Sequence, residues 1–284
     1  MERELYRRLY EITYHLGKTR RTKHVVFPDH KIAMVYFWAV LHDRPTGWAC
    51  QRTHWPDHAR QLRLPTASTM SRRLRRNSVR QLIDCVEHNL KDRFPINHVL
   101  LIDAKPLPIG HGSKDRQAKV GYATGRLAKG YKLHAVCSQE QVAISWTLRP
   151  MNERESLVAP RLIDQLPGQG ILVGDNAYDT NPLYEYAGER GWQLLAPRRK
   201  NTSLGNIKHS RWRVNAHVRM SQSKRHRLYR ARIAIEQFFG QLGNISFGLS
   251  PLPNWVRSVR RVRQWVQAKL VLYLLRLAIK RKLA

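Results

Sequence analysis

The chain has 284 residues, with 51 Lys and Arg against 20 Asp and Glu for a formal net charge of +31. Its 42% hydrophobic content is enough for a packed core and excludes a wholly disordered basic tail, while so large a charge repels itself unless a polyanion offsets it. Nucleic acid is therefore the favoured partner, ahead of an anionic membrane surface. The length suggests two domains, or one large domain with an appendage. Cys50, Cys85 and Cys137 form no C-x-x-C pair, which argues against a disulfide framework or zinc ribbon and for a reducing, intracellular setting. Met1 to Tyr10 is charged and polar, unlike a signal peptide. The most apolar stretch, Leu270 to Ile279, is broken by Arg276 and falls short of the ~20 residues of a membrane span, so a soluble protein without a membrane partner is expected.

Charge is unevenly spread. Residues 1–97 carry 19 basic and 9 acidic side chains, 98–189 carry 10 of each, and 190–284 carry 22 basic side chains and one acid, Glu236. A neutral centre is thus flanked by two basic arms. In chain order, the first arm reads as helical. His30–His42 is an apolar run ended by the turn Pro45-Thr46-Gly47. Thr66 to Met70 supplies hydroxyl residues at a helix start, followed by Arg72, Arg73, Arg75 and Arg76. That pattern fits a helix-turn-helix presenting arginines to a DNA groove, and equally a solvated basic helix of a bundle.

The centre changes period. Strands are expected at Val99–Asp103, Lys132–Ser138, Val142–Leu148, Ile171–Asp175 and Trp192–Pro197, with helices over Glu153–Leu166 and Pro182–Arg190, making a mixed five-stranded α/β sheet. Further on, Arg225–Gly243 reads as an amphipathic helix with Leu228, Ala231, Ile235, Phe238, Phe239 and Leu242 as its apolar stripe. Between sheet and helix lies a basic interval centred on Arg211-Trp212-Arg213. Its tryptophan can stack on an exposed base between phosphate-gripping arginines, or anchor a loop to the core. Residues 254–284 suggest a long basic amphipathic helix that packs on the core or serves a second subunit.

Two apolar runs end in carboxylates, Asp103 and Asp175. Such residues sit at the sheet edge where open α/β sheets bind ligands, and they converge if their strands are neighbours. Two hard oxygen donors suit Mg²⁺. The plainer reading is that each caps the turn after its strand. Asp175 is preferred to Asp179 because the apolar run stops there; Glu153 and Glu155 are further acids near the core strands. Glu236 follows Tyr229 and Arg232 at helical spacing. The plain reading is an i,i+4 ion pair worth about 0.3–0.5 kcal/mol. Yet the sole acid of a basic arm also suits a third metal ligand, and three carboxylates holding two Mg²⁺ ions suit phosphodiester cleavage, with Arg232 stabilising phosphate charge. No Walker-type loop supports a nucleotide cofactor, and the thirteen histidines show no zinc spacing.

With these residues the chain resembles the DDE transposases of bacterial insertion sequences, whose catalytic core is ribonuclease-H-like. The pattern is similar to the insertion-sequence-4-like signature Y-x2-R-x3-E-x6-K: Tyr229, Arg232 and Glu236 match, and Gly243 stands where the Lys falls. Lys224 or Arg230 is read as a replacement. Gly130 to His134 and Asp175 to Asp179 are further familial stretches. The resemblance implies a helical DNA-binding domain at 1–97, a ribonuclease-H-like catalytic domain at 98–245 and a basic helical extension at 246–284. It implies Asp103, Asp175 and Glu236 as catalytic acids holding two Mg²⁺ ions (or Mn²⁺), and Tyr229 and Arg232 on phosphates at the element's end. It further implies cleavage and strand transfer on double-stranded DNA by a homodimer, in the bacterial cytoplasm at the nucleoid. Two other classes remain open: a non-catalytic DNA-binding regulator derived from a transposase, and an RNA-processing nuclease sharing the core.

Overall fold

The computed structural model describes residues 2–283 apart from 19–24, 58–62, 111, 124, 201–202, 222–228, 244–247 and 250. Two compact units emerge: Met1–Arg93, Ile245–Gly248 and Arg260–Ala284 form the first, and Phe94–Asn244 with Leu249–Val259 the second.

The first unit is helical. Helix α1 (Glu2–Lys18) buries Leu5, Leu9, Thr13 and Gly17 at helical spacing. Helix α2 (Asp29–Leu41) is buried on every side from Ile32 to Val40, as expected of a helix apolar all round. The hydroxyl-rich start of α3 (Ala67–Arg73) is a true cap: the Thr66 side chain accepts a hydrogen bond from the Thr69 N–H at 3.2 Å. A turn leads into α4 (Asn77–Lys91), which buries Val79, Leu82, Ile83, Val86 and Leu90.

The second unit is built on a sheet. Its strands are β1 (Val99–Pro108), β2 (Lys119–Ala123), β3 (Arg126–Ser138), β4 (Ala143–Pro150), β5 (Gly170–Val173) and β6 (Trp192–Leu195). β3 runs antiparallel to β1, with Asp103 opposite Ala135, and its other edge pairs β2 at one end and β4 at the other. β1, β5 and β6 are parallel neighbours. This is the ribonuclease-H-like arrangement, with one strand more than the five expected: the short, largely exposed β2 lacks an apolar run that would mark it. Helices α5 (Glu155–Ile163), α6 (Asn181–Glu189) and, after the single turn α7 (Leu204–Ile207), α8 (Arg211–Ser221) enclose the core of Leu100, Ile102, Val136, Leu172 and Leu194.

Helix α9 (Ile233–Gly243) packs against β1 and β3, burying Ile235, Phe238, Phe239 and Leu242. Each such side chain contributes about 1.5–3 kcal/mol on leaving water. Of the expected helix over Arg225–Gly243, Tyr229 and Arg230 are helical, Ala231 and Arg232 form a turn, and α9 follows; the Leu228 and Lys224 assignments lie outside the described residues.

The last helix, α10 (Val259–Lys280), is buried almost all round from Trp265 to Leu275. Its polar residues are matched within the first unit. Gln267 donates to Asp84 and Glu87, and Lys269 Nζ lies 2.6 Å from Asp43. Of the alternatives read from the sequence, packing into a core is the one observed. Apart from Lys269 and Arg276, its basic residues fall near its ends, at Arg260, Arg261, Arg263 and Lys280, so the apolar girth between them is wider than a single stripe.

Candidate active site

Asp103 and Asp175 are brought together by strand order. β1 and β5 are adjacent and parallel, with Leu101 in register with Val173, and each aspartate lies two residues further on. Asp103 is mostly buried, and burial pushes its carboxyl up to about 6, with Asp175 among the charges acting in the same direction. Of the two, only Asp175 plays the plain capping role; the strand expected to stop at Asp103 runs on through it to Pro108, paired with β3. Asp103 Oδ1 accepts the Ala104 N–H at 2.8 Å, and Asp175 Oδ1 accepts the Ala177 N–H at 2.8 Å, capping the one-turn helix Asn176–Tyr178. These bonds occupy one oxygen of each carboxylate, and the second oxygen of Asp103 faces Arg232.

Arg232 joins this pair to α9. Its Nη2 donates to Asp103 Oδ2 at 3.4 Å and lies 3.3 Å from Glu236 Oε1, while Nη1 donates to the Tyr229 hydroxyl at 3.2 Å. The sequence alignment of Tyr229, Arg232 and Glu236 on one edge is therefore present in space, with the i,i+4 ion pair made. What is not made is a three-carboxylate cluster. Glu236 is 59% exposed, and among the described residues no three His, Cys, Asp or Glu side chains are grouped to hold a metal ion. A guanidinium lies within reach of both Asp103 and Glu236. Asp103 and Asp175 carry hard oxygen donors of the kind that Mg²⁺ takes.

Neighbours that the sequence did not single out complete the surroundings. Tyr178 is fully buried, and its hydroxyl has no hydrogen-bond partner among the described residues; burial first, then Asp103, Glu155 and Asp175, holds its proton on. Glu155, read as an acid near the core, pairs with Lys132 at 2.9 Å. Both line an open cleft of about 1020 Å³, together with Tyr122, Arg154, Ala177 and Arg199.

Asp179 is structural. Fully buried, it takes Nε and Nη2 of Arg213 at 2.9 and 2.6 Å and the Arg199 N–H at 2.9 Å. Arg199 in turn donates from Nε to the Asn176 carbonyl at 2.8 Å, so this buckle fixes the turn that follows Asp175. Arg213, read from the sequence as a DNA contact, is 3% exposed and committed to Asp179 and Asn181, which removes it from that role. Trp212 likewise packs inward: a Cβ on Gly188 would come within 2.3 Å of its ring, so only glycine at 188 admits it. The anchoring alternative is the one realised, and Arg211 alone of the three is exposed. In the first unit Arg73 is withdrawn into an ion pair with Asp29, whereas Arg72, Arg75 and Arg76 are exposed around the turn between α3 and α4. They stand at a helix end and turn, since α3 stops at Arg73.

The sheet is ribonuclease-H-like, with Asp103 inside β1 and Asp175 just beyond the end of its parallel neighbour β5. Residues 96–275 match the family model described as the transposase DDE domain, and the chain belongs to that family. Among solved structures it is similar to a piggyBac transposase synaptic complex with hairpin DNA determined by cryo-EM, with a TM-score of 0.53 at 11% identity over 98% of this chain and 74% of that one. At that identity the likeness is one of fold. Comparison with curated proteins gives no significant match. No helix among the described residues is long and apolar enough to cross a membrane.

Proposed function

We propose that the chain is a DNA transposase of the insertion-sequence-4-like group, which binds the ends of its element and carries out metal-dependent strand cleavage and strand transfer. The observation that carries this reading is the pairing of Asp103 and Asp175 beyond the register Leu101–Val173, inside the stretch matched by the transposase model. Asp103 and Asp175 would hold Mg²⁺ (or Mn²⁺), which when bound supplies positive charge for in-line displacement at phosphorus. Arg232 presents donors to non-bridging phosphate oxygens, and the exposed Tyr229 extends that contact along the backbone. Glu236 is the third acid, paired with the same Arg232 that reaches Asp103. The exposed Arg72, Arg75, Arg76 and Arg211 grip duplex phosphates without reading sequence. Double-stranded DNA as partner is supported by the +31 charge and by the solved neighbour, a transposase complex with hairpin DNA. A homodimer on paired ends, in the bacterial cytoplasm at the nucleoid, belongs to the same reading.

One observation favours the regulator derived from a transposase: Glu236 is engaged by Arg232 rather than gathered with the two aspartates. A duplex carrying the element's ends, incubated with the chain in Mg²⁺, Mn²⁺ or EDTA, separates the two. The enzyme leaves metal-dependent nicks with free 3′ hydroxyls. A regulator shifts the duplex equally in EDTA and leaves it intact under every condition.

A further inference from the structure

Lys105 lies two residues beyond Asp103 on β1, so the strand's alternation puts both side chains on one face, about 7 Å apart along the chain. That face is the one covered by α9: Arg232 reaches Asp103, and a Cβ on Gly243 would come within 3.3 Å of Lys105 Nζ. The Lys105 side chain is half-buried. It has no ion pair or hydrogen bond among the described residues. Other lysines withdrawn from solvent are treated differently. Lys91 pairs with Glu87, Lys132 with Glu155 and Lys269 with Asp43. A partly desolvated cation without an anion is unfavourable in the free protein and is relieved by an anionic ligand.

Where α9 comes closest to the ammonium, at Gly243, it carries no side chain. From Glu236, Gly240 and Gly243 follow at i+4 and i+7 on the same face, and a Cβ at Gly240 would meet nothing within 4 Å.

We propose that Lys105 is a phosphate-binding residue of the active-site groove, holding the DNA backbone one or two nucleotides from the phosphate met by Arg232 beside Asp103. The ligand class is a phosphodiester chain, because one extended anion with repeating charge meets both cations at this spacing. The proposal rests on the transposase reading, and its test distinguishes the two.

The test measures binding of the full-length chain to an end-bearing duplex in EDTA, as a function of salt. Loss of one phosphate contact lowers the slope of log affinity against log salt by about 0.9. Lys105→Gln is expected to lose about that much slope and about five- to tenfold in affinity at low salt, Lys105→Arg to keep both. Lys208→Gln, on an exposed residue outside the site, is expected to match wild type. Gly243→Leu leaves the charge in place and fills the space beside Lys105, and it is expected to weaken binding with the helix signal retained. Wild-type binding with steep salt dependence, beside a Lys105→Gln variant of unchanged slope or a Lys208→Gln variant equally affected, would overturn the role of Lys105 alone. A wild-type chain whose DNA binding is insensitive to salt would overturn the transposase reading and this proposal together.

Discussion

Arg232 Nη2 lies 3.4 Å from Asp103 Oδ2, a contact that ties the end of helix α9's leading turn to strand β1. The same nitrogen lies 3.3 Å from Glu236, so one guanidinium serves two carboxylates and, through Nη1, the Tyr229 hydroxyl. Arg232→Gln removes the fork but little packing. Strand cleavage is expected to fall by about 10²–10³, with the thermal unfolding midpoint nearly unchanged. Arg232→Lys is expected not to restore it, since a single ammonium cannot reach three oxygens in a fixed plane. Cleavage at the wild-type rate by Arg232→Gln would contradict this.

The two aspartates of the Asp175–Asp179 segment should separate under mutation. Asp179→Asn leaves the buried Arg213 guanidinium without its counter-charge and is expected to cost about 3–5 kcal/mol in denaturant unfolding. Asp175→Asn preserves the cap on the Ala177 N–H, since Asn caps as well as Asp, and is expected to cost under about 1 kcal/mol. Equal losses would show that the two acids do not differ in role.

His134 gives the fold a specific acid sensitivity. The imidazole is 1% exposed, and burial, reinforced by Lys132 and Arg149, pulls its pKa down to about 3. The unfolded chain therefore binds a proton near pH 6.5 that the folded chain refuses. Stability is fully present above that pH and is lost as pH falls toward 3, by up to about 1.4 kcal/mol per pH unit from this residue. His134→Leu is expected to flatten the stability–pH curve in that window, as read by urea unfolding at a series of pH values. An unchanged slope would place the proton uptake elsewhere.

Lys269 is 1% exposed in α10, while its partner Asp43 keeps 37% of its surface in water. Burial depresses the lysine's pKa despite that ion pair. Replacing the lysine by methionine removes the desolvated charge and leaves Asp43 hydrated. The unfolding midpoint of Lys269→Met is expected to equal or exceed that of the wild type, whereas Lys269→Ala, which opens a cavity, is expected to lower it.

The sequence made the catalytic sheet legible because its central strands are continuous apolar runs, and the ends of two of them marked Asp103 and Asp175 directly. Helix α9 was legible through Phe238, Phe239 and Leu242. What stayed hidden depends on long-range partners. Nothing local distinguishes Arg213, bonded to Asp179, from the exposed Arg211 two residues earlier. Arg73 and Arg72 differ only in that one meets Asp29. The inward packing of Trp212 depends on the missing side chain at Gly188, on another helix. Lys105 was within reach of sequence reasoning: strand alternation from Asp103 alone puts it on the same face.

The central claim is that Asp103, Asp175 and Glu236 are the acids of one phosphodiester-cutting centre. Asp103→Asn tests it most directly, because it keeps the shape of the side chain and removes a charge that burial already disfavours. The measurement is cleavage of the element's end in Mg²⁺ beside binding of the same duplex. The account predicts binding and folding like wild type with cleavage lower by at least about 10³. An Asp103→Asn chain that binds and still cuts at the wild-type rate would contradict it.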